Sequence, residues 1–284
     1  MKFSERINNL SLRNLNFFAF LLHLFSGIII TILLFSMNGD INFNTNLYAY
    51  KINSISEDGK TVTFDYGDND APELENGASA LKLVLIFIFL ITAFFHFFYC
   101  GDVFGFNKLN KIYIDEVKSG KNRIRWIEYG ITASMMIYIY CVISGVKDIF
   151  TVLLIVLFNI VLMSFGYFLE MSDDKQAKLA AIIMGFFILF IIFAVSYYQF
   201  VGNLEAAKND GFEIPDFVYG VVLAMVFWWI SFGIVGVLYY KASLKGNVDF
   251  TRYEKYYVFL SFVSKAFMGY YITFGLTRDA PDKN

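Results

Sequence analysis

Two ionisable side chains draw attention because they fall inside runs long and apolar enough to cross a bilayer. Lys265 stands in Val258-Phe259-Leu260-Ser261-Phe262-Val263-Ser264-Lys265-Ala266-Phe267-Met268-Gly269. It lies about nine residues, or roughly 13 Å, in from Tyr256. An ammonium near mid-bilayer costs at least about 2.5–3.5 kcal/mol, so its position requires a reason. Two readings remain open. In one, Lys265 is an ion-paired core residue or part of a transport path. In the other, its unprotonated amine attacks an aldehyde to form a Schiff base, whose protonated form needs a fixed anion nearby. Glu128, in Arg123-Ile124-Arg125-Trp126-Ile127-Glu128-Tyr129-Gly130-Ile131-Thr132-Ala133-Ser134-Met135, supplies that anion. A helix opening near Lys121 puts it about 10 Å deep. The competing reading makes Glu128 a helix-start carboxylate favoured by the macrodipole. Helical spacing sets Glu128, Thr132 and Met135 on one stripe and Ser261, Lys265 and Met268 on another.

The chain has only two histidines, and both fall in apolar runs: His23 about ten residues after Arg13, and His96 four residues before Cys100. They share the depth of Glu128, so the three are expected to form a polar cluster able to take up a proton. Trp228, Trp229, Phe232, Met163, Phe186, Phe187 and Phe190 are ordinary packing residues taken singly. Taken together around a central lysine, they are candidates to line an apolar slot for a polyene. Cys100 and Cys141 are expected about 20 Å apart in depth, too far for a disulfide. No metal-ligand spacing, P-loop or G-x-S-x-G pattern occurs, so the reading is not an enzyme and has no metal site.

The elements that must position these residues follow from composition. Of 284 residues, 57% are hydrophobic and 17% charged, and mean hydropathy is +0.55. A soluble domain has about 45–50% apolar and about 25% charged residues, so a water-soluble globule is excluded, as is a disordered chain. A net charge of −2 provides no field for nucleic acid. A spanning helix takes about 20 apolar residues, and seven such runs are present: 15–37, 80–100, 126–146, 149–169, 179–201, 218–240 and 256–276. Only Lys147 and Asp148 separate the third from the fourth. The expected fold is an all-α membrane protein, a seven-helix bundle forming one domain over 1–284, in contact with the lipid bilayer.

Basic residues set the orientation. With the N-terminus inside, fifteen Lys and Arg fall on the inner side and seven on the outer side, with Lys265 within a span. The C-terminus is then outside. The first span exceeds a signal-peptide core and no A-x-A-like site follows it, so it reads as a retained helix. The longest connection, 38–78, lies outside. Strand-forming residues at 47–55 and 61–66 flank the turn sequence 56–60, which predicts a β-hairpin. Its acidic tail (Asp65, Asp68, Asp70, Glu73, Glu75) reads as a solvated face.

This set of features resembles the heliorhodopsins over nearly the whole chain. The likeness is carried by seven spans with the N-terminus inside, Ser261-x-x-x-Lys265 in the last span, and Arg125-Trp126-Ile127-Glu128-Tyr129. One histidine in each of the first two spans and the β-containing first outer loop add to it. The resemblance implies a rhodopsin-like bundle with all-trans retinal held covalently by Lys265, Glu128 as counterion, and Ser261 hydrogen-bonded near the imine. It places His23 and His96 in an inner polar pocket, with Thr92 beside it, and Tyr129, Glu170 and Arg125 among polar positions on the cytoplasmic side. It also implies a homodimer and a photosensory protein with a slow photocycle and little ion transport. A cytoplasmic signalling partner is expected to dock on 101–125 and 241–256. Two positions depart from the expected pattern. Thr92 replaces a Ser and keeps the hydroxyl, while Gly130 after Tyr129 replaces a Ser and loses it. Outward proton pumps carry a second carboxylate eleven residues after the counterion, and Ile139 stands there. The expected function is light sensing with proton movement inside the cytoplasmic-side cluster. The alternatives are a light-gated ion conductance, or an ion-coupled transporter that uses the Lys265–Glu128 pair without retinal.

Overall fold

Long apolar runs punctuated by short polar connections fold into helices, because a helix satisfies its own backbone in lipid. The computed structural model describes residues 11–36, 47, 51–55, 62–65, 77–209, 211, 214–246 and 248–277. The order is α1 (Leu12–Ser36), β1 (Lys51–Ile55), β2 (Val62–Asp65), α2 (Gly77–Tyr99), a 3-10 turn (Gly101–Phe104), α3 (Asn107–Lys118), α4 (Arg123–Ile143), α5 (Ile149–Met171), α6 (Lys175–Asn209), α7 (Asp216–Leu244) and α8 (Phe250–Thr277). All the α-helices except α3 are long and apolar enough to cross a membrane. Large apolar side chains such as Phe94, Phe190 and Leu223 point outward, as hydrocarbon surroundings demand. The chain is an integral, multi-pass membrane protein.

The seven expected spans are all present, and their ends differ where polar residues shape the backbone. The third was expected at 126–146, whereas α4 runs from Arg123 to Ile143. Asn122 starts it early by accepting a hydrogen bond from the Arg125 backbone N–H at 3.1 Å. Gly145, at φ +84°, ends it. A Cβ there would stand 2.4 Å from Asn203 Nδ2, which donates to the Gly145 carbonyl at 2.8 Å. Asp148 then caps α5, accepting from the Thr151 N–H at 2.7 Å and its hydroxyl at 2.6 Å. The fifth, sixth and seventh spans continue as helix past their apolar limits. Helix α3 was not anticipated.

Strands β1 and β2 pair antiparallel, with Ile52 opposite Phe64 and Ile55 opposite Val62. Both lie within the segments expected to be strands. The 56–60 turn and Asp68, Asp70, Glu73 and Glu75 lie outside the described residues, as do Lys2, Arg6, Lys60, Arg278 and Lys283. Cys100 and Cys141 are free and buried.

Around α4 the bundle divides into two halves. Toward the helix's C-terminal end the interior is mainly hydrocarbon: Ile30 and Leu34 of α1, Leu81 and Leu85 of α2, Ile139 and Ile143 of α4, and Ile272 of α8. The buried hydroxyls of Ser144, Ser196 and Thr273 there each donate to a carbonyl one turn earlier. Toward its N-terminal end the interior holds buried polar groups, including Asn16, His23, His96, Asn122, Arg125, Glu128, Glu170 and Glu254.

Candidate functional site

The carboxylate of Glu128, in the second turn of α4, meets Lys265 from α8. Lys265 Nζ donates to Glu128 Oε1 at 2.9 Å and to Ser261 Oγ, one turn earlier on its own helix, at 2.9 Å. Both members of the pair are buried, with side chains 4% and 1% exposed. The Tyr129 ring centroid lies 5.4 Å from Nζ. Tyr129 is itself fixed by its hydroxyl, which donates to the Tyr257 carbonyl at 3.0 Å. Thr132 Oγ1 donates back to the Glu128 carbonyl at 3.0 Å, a helix-internal bond that aims no proton at the pair.

Beside this pair is a cavity of about 120 Å³, bounded by Thr132, Met163, Phe186, Trp229, Phe232, Ser261 and Lys265 among others. Met136 lines it where the stripe reading chose Met135, and Trp229 lines it where Trp228 was also expected. The helix carries the stripe from Thr132 by four residues rather than three. Met135 packs among the partly buried core residues, and Trp228 sits against Phe227 and Phe267. Phe187 and Phe190 point outward instead of inward. Trp229 is oriented by its indole N–H, which donates to Asn159 Oδ1 at 3.1 Å, while Asn159 Nδ2 donates to Ser134 Oγ at 3.1 Å. Gly166 also bounds the cavity, and a Cβ on it would reach 2.1 Å from the Trp126 ring. An apolar space ending in a primary amine that is paired with a carboxylate suits an elongated apolar aldehyde.

The polar residues expected from the sequence form two groups that are joined through Asn16 and Tyr113. His23 and His96 stack, with ring centroids 5.5 Å apart and planes 9° from parallel. The Nε2 atoms of both rings and Thr92 Oγ1 are buried without a partner among the described residues. Arg125 and Glu170 belong to the other group, which includes Glu254, a residue the sequence reading passed over. The Arg125 guanidinium ion-pairs with Glu170 of α5 and Glu254 of α8 and packs on the rings of Trp126 and Tyr257 at 5.1 and 4.2 Å. Asn122 Nδ2 donates to Glu254 Oε1 at 2.7 Å. Tyr113 of α3 donates to the same oxygen at 3.2 Å; burial away from water raises its phenol well above the ordinary value.

Asn16, Tyr113, Asn122 and Glu254 were all missed, yet spacing held a signal for some of them. Glu254 lies seven residues before Ser261 and eleven before Lys265, on the same helical stripe. Asn16 precedes His23 by seven.

Comparison with known proteins agrees with this architecture. A search of curated proteins finds no match. Among solved structures, the light-driven proton pump rhodopsin of Coccomyxa subellipsoidea is similar at a TM-score of 0.62 and 14% identity, over 92% of this chain and 95% of that one. At that identity the likeness concerns the fold, a rhodopsin-like seven-helix bundle. A family model described as heliorhodopsin matches residues 12–277. With nearly the whole chain matched, the protein belongs to the heliorhodopsin family.

Proposed function

We propose that the chain is a light-absorbing photosensory protein that binds all-trans retinal covalently through Lys265, with Glu128 as counterion. The observation that carries this reading is a buried amine, hydrogen-bonded to Glu128 and Ser261, at the edge of an apolar cavity. Membership of the family supports the chromophore. When bound, retinal supplies absorption of visible light and a light-driven change of shape.

The protein's own groups supply the rest. Glu128 balances the positive charge at Nζ, and Ser261 fixes its direction. Trp229 and Phe232 confine an apolar ligand, and Asn159 holds the Trp229 ring. The carboxylate and the imidazoles nearest Nζ lie on one side of it. Glu128 and the stacked histidines lie toward the N-terminal end of α4, whereas Leu85, Ile139, Met268 and Ile272 lie on the opposite side. Proton movement therefore stays inside the polar half, which suits a slow sensory cycle better than transport.

The basic-residue count supports a cytoplasmic N-terminus and an extracellular C-terminus for the single domain 1–284, with the 38–78 loop outside. The segments 101–125 and 241–256 then form the surface for a cytoplasmic signalling partner, and the protein acts as a homodimer.

Adding all-trans retinal to the expressed protein tests the reading directly. A visible absorption band is expected, and Lys265→Ala abolishes it. Absence of a band in the unaltered protein overturns the assignment, and a sustained photocurrent under voltage clamp replaces sensing with conduction.

A further inference from the structure

The polar half contains a continuous buried hydrogen-bond chain whose direction can be worked out atom by atom. Asn16 Nδ2 lies 3.0 Å from the Leu12 carbonyl and 3.1 Å from the Tyr113 hydroxyl. A carbonyl oxygen only accepts, so the amide nitrogen must face it, and the amide oxygen is turned the other way. That oxygen is 2.8 Å from His96 Nδ1. Since Asn16 Oδ1 has no proton to give, His96 must supply the one between them. Farther along, the Tyr113 hydroxyl accepts from Asn16 and spends its own proton on Glu254 Oε1 at 3.2 Å, while the other Glu254 oxygen pairs with Arg125. Every proton in the series points from His96 toward an anion. Asn16, Tyr113 and Glu254 are completely buried and His96 is 1% exposed, so bulk solvent does not reach these bonds.

We propose that Asn16 is a positioning residue that locks neutral His96 in the Nδ1–H tautomer, leaving Nε2 as the bare nitrogen able to take a proton. This deepens the photosensory reading and rests on it for its purpose, because it names which atom of the polar cluster is ready to receive the proton released at Lys265. An amide does not relay protons, so the chain is orientational. A proton gained at Nε2 makes the ring cationic and strengthens the Nδ1–H bond to Asn16. The aligned series then couples that charge to Tyr113, which sits on α3, outside the spanning helices. His96 thereby communicates with a surface element without any proton leaving the cluster.

The test is nitrogen NMR of the full chain in lipid nanodiscs, with 15N-labelled histidine and His23→Gln used for assignment. The unaltered protein is expected to show His96 protonated at Nδ1 and bare at Nε2. Asn16→Leu, close in volume but without the acceptor, should abolish that preference and give an Nε2–H or mixed ring. Tyr113→Phe should keep the original tautomer, because the Leu12 carbonyl still orients the amide. An Nε2–H or doubly protonated His96 in the unaltered protein, or an unchanged ring in Asn16→Leu, overturns the proposal. The measurement needs no chromophore, so a missing visible band defeats the retinal reading and leaves the tautomer result standing. A failed tautomer result beside a normal band defeats this inference alone.

Discussion

Arg125 and Glu128 lie three residues apart on α4, and each anchors a buried ion pair of a different kind. The Arg125 guanidinium is held by two carboxylates, from α5 and α8, and is packed on two aromatic rings. It stays charged at any ordinary pH, so it ties three helices together without offering a reactive atom. Lys265 opposite Glu128 has one carboxylate and one hydroxyl, and it lines a cavity. A primary amine can lose its proton and form a covalent bond. Burying either cation is costly unless partners offset the desolvation. The clamp does so with two carboxylates and two rings, although Arg125 Nε is buried without a partner among the described residues, and the Lys265 site leaves one side of its cation open to a ligand.

Three substitutions sharpen that contrast. The largest effect on stability is expected from Arg125→Gln, which leaves Glu170 and Glu254 buried without their cation. A loss of about 3–5 kcal/mol is expected, measured as a lower thermal midpoint in detergent, with the visible band still forming in the protein that remains folded. Glu128→Gln should do the reverse, retaining the fold and shifting the visible band strongly at neutral pH; an unchanged spectrum would reject Glu128 as counterion. Asn159→Leu should have the smallest effect on the spectrum: it removes two buried hydrogen bonds and leaves the Trp229 N–H unpaired, at about 1–3 kcal/mol, with a small band shift because the ring loses its tether. If Asn159→Leu shifts the band more than Glu128→Gln, the electrostatic account of the pair is wrong.

What the sequence revealed follows from what stood out chemically. Lys265 and Glu128 were legible because a charge within an apolar run has few explanations, and the helices were legible because lipid imposes their length. The clamp was hidden for the opposite reason. Glu254 sits in Arg252-Tyr253-Glu254-Lys255, where charges look like a water-facing helix start, and its buried partners Arg125, Asn122 and Tyr113 draw it inside. Asn16 and Asn122 carry no charge, and their value depends on contacts with residues 80 and 132 positions away. Tyr113 belongs to a short helix with no apolar run to announce it. The choice between Met135 and Met136, or between Trp228 and Trp229, depends on helix rotation, which spacing of three or four residues leaves undecided.

Helix α6, at 35 residues, is about 52 Å long, against a hydrocarbon layer about 30 Å thick. Its exposed end at Lys208 therefore has helix to spare beyond the lipid, while Cys100 and Cys141 are both buried. A Lys208→Cys protein would carry a conspicuous thiol on a rigid stalk, suited to a membrane-impermeant maleimide. In the proposed orientation, intact cells take up the label at that position without being opened.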